Sequence, residues 1–254
     1  MIRIVRADLP SEVSANLAVK AAKLGEDPKA ARKLWKGADG LRKVLKSELA
    51  LMAAGRGYCM YCGDGMGSDI DHHEPIAHNP ARTFDWLNHL LACAFCNSHH
   101  KREQYPLDEQ GLPLLIDPTF EDPLDHLFLA LSVGKYRALT IKGEQTIQVC
   151  GLNRASLERG RQNAFDQVCG LVTRWWEMRE SGDSHAEARA IWTLCDQPHG
   201  DVLHAMLRQA ELPGARDIFR GDDRLIARLR LPDLRSAVKA RMADHRDVSL
   251  GRRG

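Results

Sequence analysis

Apolar positions in the first fifty residues recur every three or four places, the period of a half-buried helix. Val13, Leu17, Ala21 and Leu24 share one face after Ser11, a residue able to cap a helix, and Gly25 ends the run. Asp27-Pro28 joins a capping side chain to a first-turn proline and predicts a short helix through Lys36. Leu41, Val44, Leu45, Leu49 and Met52 predict a third helix from about Gly40, stopped by Gly55 and Gly57. Met1 to Arg6 alternates apolar and basic residues and predicts a short strand.

The pattern changes after residue 101. Pro106, Pro113, Pro118 and Pro123 exclude a long helix, so an irregular segment is expected, with one short strand at residues 114–116. Residues 136–149 alternate enough to predict a hairpin turning at Lys142-Gly143. Asn153 is the expected cap of the first long helix, with Leu157, Ala164, Val168, Leu171 and Trp175 as its buried stripe. Gly160 and Gly170 each weaken that helix by about 1 kcal/mol relative to Ala, and close helix packing is the expected reason. From Asp183 onward short helices are expected, with loops at residues 197–200 and 212–214. Trp175, Trp176 and Trp192 are expected in the core, and the polar tail HRDVSLGRRG is expected to fray. The expected fold class is α+β and mainly helical. The expected organisation is a basic helical segment at 1–57, a compact core at 58–104, an irregular segment with a hairpin at 105–152 and a helical region at 153–254.

Chemistry concentrates in the stretch CMYCGDGMGSDIDHHEPIAHNPARTFDWLNHLLACAFCNSHHK, which begins at Cys59. Two Cys-x-x-Cys knuckles, Cys59/Cys62 and Cys93/Cys96, supply four thiolates, the full ligand set of a closed tetrahedral zinc site. With no ligand position left for water, this zinc holds the fold and does no chemistry. Gly63 suits the positive φ that such knuckles need. Cys150, Cys169 and Cys195 stand singly among apolar residues and are expected to be buried and inert. Between the knuckles, Asp71 and His72 follow Ile70 at the end of a possible strand, and just after the second knuckle Asn97 and His100 lie three apart on one helical face. Such groups suit phosphodiester hydrolysis, which needs a base for water and a counter-charge for the transition state.

The ordered pattern Cys59-x-x-Cys62, Asp71-His72-x-x-Pro75, Asn88-x-x-x-x-Cys93-x-x-Cys96-Asn97-x-x-His100 resembles the HNH endonuclease family. The resemblance implies a ββα-metal core, a two-stranded hairpin followed by a helix, stapled here by zinc. It implies His72 as general base, Asp71 and Asn97 as ligands of a catalytic Mg²⁺ or Mn²⁺, and Asn88 as the tether of the loop carrying His72. It places His100 where it would touch the metal or the scissile phosphate. His73, His78, His89 and His99 read as surface residues or as supports for the ligands. Residues 76–87 lack the glycine-rich turn common in the family.

Further segments are similar to the PtuB-like branch of that family, found in Septu-type and retron-linked antiphage systems. These are MIRIVR at the start, Leu114-Leu115-Ile116-Asp117-Pro118, Asp122-Pro123, Gly143-Glu144-Gln145-Thr146-Ile147 and Gly151-Leu152-Asn153-Arg154. That likeness implies a bacterial defence nuclease acting with a separate ATPase partner of the PtuA type. The chain carries no Gly-x-x-x-x-Gly-Lys-Ser/Thr loop, so ATP use would come from the partner.

The formal net charge of +2 over 254 residues is too mild to argue for nucleic acid, but its distribution is uneven. Residues 1–57 hold twelve Lys and Arg against six Asp and Glu, a net +6 that fits contacts to a DNA phosphate backbone. No apolar run is long enough to span a membrane, no segment reads as a signal peptide, and the expected location is the cytoplasm. Two functions fit these observations, a metal-dependent DNA endonuclease and a non-catalytic zinc-organised module for nucleic-acid binding or assembly. The Asp71-His72 pair favours the first, since binding alone does not require it.

Overall fold

A computed structural model describes residues 1–243, and the tail HRDVSLGRRG lies outside them. The chain opens with three helices, α1 (Ser11–Ala21), α2 (Pro28–Lys36) and α3 (Asp39–Met52), followed by a single turn, α4 (Ala54–Gly57). Asp27 caps α2, accepting from the amides of Lys29 at 2.9 Å and Ala30 at 3.2 Å. Ser11 does not cap α1. Pro10 holds the cap position and no side chain bonds there. On α3, Leu41, Leu45, Leu49 and Met52 are buried, whereas Val44 is exposed.

Next come two short strands, β1 (Asp69–His72) and β2 (His89–Ala92), paired antiparallel with Asp71 opposite Leu90 and His72 opposite His89. A seven-residue π-helix (Phe95–Lys101) begins inside the second knuckle and carries Cys96. A second hairpin joins β3 (Leu127–Ala130) to β4 (Lys135–Ala138). The remainder is helical: α5 (Ile141–Val149), α6 (Ala155–Glu180), α7 (Ser184–Cys195), α8 (Gly200–Gln209), α9 (Ala215–Ile218), α10 (Asp223–Arg230) and α11 (Pro232–Ala243). The fold is thus α+β and mainly helical, with two small sheets. Among the described residues no helix is long and apolar enough to cross a membrane.

Four local expectations are corrected. Residues 1–6 form no strand. They bury Met1, Ile2 and Ile4, with Ile4 donating to the carbonyl of Pro118 at 2.8 Å. Residues 114–116 are also not a strand, although Leu115 and Ile116 are buried. The hairpin lies at residues 127–138, and residues 141–149 are helix α5, capped by Thr140, whose Oγ1 accepts from the Gly143 amide at 3.1 Å. The long helix starts at Ala155 with no capping side chain. Asn153 instead clasps β4, accepting from the Tyr136 amide and donating to its carbonyl, each at 2.8 Å.

One apolar core runs from Met1 through the knuckles and β2 to the C-terminal helices, and a smaller one gathers α1, α2 and α3 around Trp35 and Phe84. On α6, Leu157, Ala164, Val168, Val172 and Trp175 are buried, with Arg161 among them. Gly160 allows α6 to approach His199, because a Cβ there would collide with the imidazole. Gly170 faces open space, so close packing does not account for it. Trp176 and Trp192 are half-buried beside the fully buried Trp175.

Candidate functional site

The hairpin β1–β2 sends neighbouring side chains to opposite faces, as alternation along a strand requires. His72 is buried at 8% exposure, edge-on to the Trp35 ring of α2 at 4.7 Å and to the His89 ring of β2 at 5.0 Å. Its Nε2 lies 3.0 Å from the Thr83 carbonyl oxygen. A carbonyl only accepts, so Nε2 carries the proton and Nδ1 keeps its lone pair. Burial lowers the His72 pKa below the ordinary histidine value and keeps the ring neutral. A neutral imidazole with a free Nδ1 can take a proton from water. His89 bonds the same carbonyl through Nε2 at 3.0 Å.

The loop of residues 73–88 is pinned at its neck. The Glu74 amide donates to Asn88 Oδ1 at 2.8 Å, and Asn88 Nδ2 donates to the carbonyls of Glu74 at 3.0 Å and Arg82 at 3.2 Å. The His73 amide donates to the Asn88 carbonyl at 2.8 Å. Arg82 bridges Glu74 at 2.9 Å and Asp85 at 2.8 Å. These bonds, with 3₁₀ turns at Pro80–Arg82 and Trp86–Asn88, shape the loop without a glycine-rich turn. Glu74 is thereby committed to Arg82.

The knuckles meet beneath the hairpin. The sulfurs of Cys59, Cys62, Cys93 and Cys96 all lie within 4.8 Å of one another, and all four residues are buried. Cys62 and Cys93 are 3.8 Å apart, close to the edge of about 3.8 Å that a tetrahedron of Zn–S bonds of about 2.3 Å requires. Gly63 has φ of 69°. The Asp64 amide bonds Cys62 Sγ, and the Arg154 guanidinium lies 3.6 Å from Cys96 Sγ, offsetting thiolate charge. The site fits a tetrahedral metal such as zinc. Cys150 and Cys195 are buried and Cys169 half-buried, and burial pushes Cys169 up to about 11 and Cys195 up to about 12. The three are unreactive thiols.

Asp71 lies on the other face of β1. It is 4% exposed, and both carboxylate oxygens are engaged. Tyr61 Oη donates to Oδ2 at 2.6 Å, and the Lys101 ammonium sits 3.1 Å from Oδ1 and from Oδ2. In this arrangement Asp71 does not fit a divalent cation, because an ammonium already fills the position such an ion would take. Asn97 stands at the edge of a groove of about 410 Å³ between the π-helix and helices α2 and α3. Lys36, Arg42, Lys43 and Lys46 line it together with Asp39, Asp69, Asn97 and Ser98. Arg42 is paired with Asp39 at 2.9 Å and lies over Trp35. His100 packs its ring on Gly151, near Arg154. The structure therefore gathers Asp71, His72 and Asn88 about the hairpin and turns His100 toward Gly151. His78 bonds the Glu103 carbonyl at 2.9 Å, His99 stacks on Phe95, and His73 is buried against Tyr105.

No protein-family model matches the chain. It is similar to the Septu protein PtuB of Bacillus mycoides (strain KBAB4). The two are 30% identical over 96 residues, which cover 33% of this chain and 32% of PtuB. The chain thus spans about a third of the length of PtuB, and the likeness to PtuB is partial.

Four residues at the site escaped the sequence pattern, Trp35, Tyr61, Thr83 and Lys101, and His89 was expected only as a surface or supporting residue. Thr83 acts through its carbonyl, which any residue type would supply. Trp35 and His89 belong to the helical and strand patterns but carry no spacing relative to His72. Tyr61 lies inside the first knuckle, where only the cysteines attract notice. Lys101 sits in the run HHKRE, which reads as a solvated stretch, yet its side chain is 0% exposed.

Proposed function

We propose that the chain is an endonuclease of the HNH kind that hydrolyses DNA phosphodiester bonds. The observation that carries this reading is the His72 tautomer. Its Nε2 proton is committed to the Thr83 carbonyl, so Nδ1 remains as a base, and Trp35, whose ring meets that of His72, also lines the groove that carries Lys36, Arg42, Lys43 and Lys46. In the proposed step a water oxygen attacks phosphorus and its proton passes to His72 Nδ1, while one P–O ester bond breaks and the leaving oxygen departs as an alkoxide that takes a proton from solvent. Asn88 holds the loop that presents His72, and Lys36 and Lys43 receive backbone phosphates. The four-cysteine zinc fastens the hairpin to the π-helix and takes no part in the step.

The likeness to PtuB supports a role in antiphage defence, with a PtuA-type ATPase partner supplying any nucleotide hydrolysis. The expected catalytic Mg²⁺ or Mn²⁺ belongs to the same reading, with Asp71 and Asn97 as its ligands in an opened state of the site. A second reading, a zinc-organised binding module without catalysis, draws on one observation, the ammonium already seated at Asp71.

The test is plasmid cleavage by the purified protein with Mg²⁺, Mn²⁺ or EDTA, alone and with the partner ATPase, for wild type and His72→Ala. Zinc content is measured in both. Nicking by wild type and none by His72→Ala at equal zinc supports the nuclease. DNA binding with no cleavage under any of these conditions supports the module.

A further inference from the structure

Lys101 is the most completely buried charge near the hairpin, at 0% exposure. An ammonium has three protons to place. Here they face three oxygens, Asp71 Oδ1 and Oδ2 at 3.1 Å and the His72 carbonyl at 2.8 Å. Carboxylate and carbonyl oxygens are the donors that hard divalent cations take. Lys101 therefore meets both the charge and the ligand demand of the site.

The segment that delivers Lys101 is held out of ordinary helical register. Cys96 and Lys101 are both buried, although residues five apart on an α-helix diverge by about 140°. The wider turn of the π-helix brings both inward, and such turns recur at functional sites. The i→i+5 bond that closes it runs from the Arg102 amide to the Asn97 carbonyl at 2.7 Å, so the backbone of Asn97 and the position of Lys101 are tied together. Arg102, the next residue, has φ of 50° and ψ of −115°, a conformation that suits glycine and strains arginine. Strain and a non-α register thus coincide directly beside the buried ammonium.

We infer that Lys101 is a resident cation at Asp71, and that the chain accepts a divalent ion there only when the Phe95–Lys101 segment leaves its π register and withdraws the ammonium. The inference deepens the nuclease reading by naming what keeps its acidic position closed. Its test reads metal binding and does not depend on cleavage.

Mn²⁺ binding is followed by the paramagnetic resonance signal of free Mn²⁺, using the full chain loaded with zinc. Wild type and Asp71→Asn are expected to give superimposable titrations up to about 1 mM Mn²⁺. Lys101→Met is expected to bind one Mn²⁺ at least about tenfold more tightly than wild type, and Asp71→Asn in that background removes the gain. Zinc content and a thermal melt report folding of every variant. Lys101→Gln, which keeps a donor for the carboxylate, replaces Lys101→Met if the latter loses zinc. Wild-type Mn²⁺ binding that Asp71→Asn abolishes would overturn the inference, as would Lys101 variants that bind no better than wild type. If the variants bind Mn²⁺ through Asp71 and still leave plasmid intact with the partner ATPase present, Lys101 stands as the resident cation and the nuclease reading falls.

Discussion

Asn88 and Glu74 exchange hydrogen bonds across the neck of a long loop, the Glu74 amide giving to Asn88 Oδ1 at 2.8 Å and Asn88 Nδ2 giving back to the Glu74 carbonyl at 3.0 Å. The pair fixes where His72 enters the loop. Asn88→Ala strands these buried partners, so a loss of about 1–3 kcal/mol in unfolding free energy is expected. On the nuclease reading, displacing His72 by about 1 Å is expected to lower nicking by about 100-fold, more than the stability loss explains. Denaturant melts and cleavage rates on the same preparation check both. Equal activity at full occupancy of the folded state would count against a positioning role for Asn88.

The knuckles predict one zinc per chain. Cys62→Ser is expected to lose that ion and with it cooperative unfolding, because Cys62 is buried within the cluster that also organises β2 and the π-helix. Elemental analysis and calorimetry provide the measurement. Cys169→Ser, outside the cluster, keeps the ion and shifts the melt little.

Asp201 is a second fixed point, beside Gly63 of the first knuckle. Its Oδ2 receives Tyr136 Oη at 2.6 Å, Arg161 Nε at 3.0 Å and the Met1 amino group at 3.1 Å. Burial alone would raise its pKa, but the Met1 ammonium and Arg161 hold it well below the usual carboxylate range. Asp201→Asn leaves Arg161 buried and uncompensated, for an expected cost of about 3–5 kcal/mol. The wild-type contribution is full above the unfolded carboxylate pKa, starts to decline as pH falls below it, and is lost only as pH passes the much lower folded value. Urea melts at neutral pH and at about pH 3.5 should therefore show a smaller gap between wild type and variant in acid.

His89 titrates in a different window. It is fully buried, and burial together with neighbouring His72 places its pKa well below the ordinary value. The unfolded chain binds a proton below about pH 6.5 that the folded chain refuses, so stability is full above that pH and declines beneath it. The decline per proton is about 1.4 kcal/mol per pH unit until the folded pKa is reached. His89→Gln should give a pH profile shallower by one proton between about pH 6.5 and 5. Parallel profiles at equal zinc would refute the assignment.

Arg102→Gly relieves the strained backbone at φ of 50°. An increase in stability of about 1 kcal/mol is expected, since glycine adopts that conformation freely. A lower melting temperature would show that the Arg102 side chain contributes more than the strain costs.

Some of this was legible from residues alone. The four cysteines were, because two matched knuckles leave few alternatives. Helices α2 and α3 were too, since Asp27-Pro28 and the spacing from Leu41 to Met52 act within a few residues. The second hairpin was not. IKGEQTIQV is rich in β-branched residues and Lys142-Gly143 resembles a tight turn, yet Thr140 caps a helix there and Gly143 lets it approach the His126 carbonyl. Asn153 looked like a cap because caps are local, whereas its partners lie 17 residues away on Tyr136. Lys101 was invisible for the same reason. Its burial depends on a π-turn and on Asp71, 30 residues earlier.

His199 joins the C-terminal helices to the first knuckle, its amide giving to the Gly63 carbonyl at 2.7 Å and its ring lying 3.3 Å from Asp64. During synthesis the four zinc ligands leave the ribosome about a hundred residues before His199 does. The metal can therefore be captured by a nascent chain whose first knuckle still lacks this cover. The ligands and their cover are made at different times, the four cysteines first and the start of α8 that meets Gly63 about a hundred residues later.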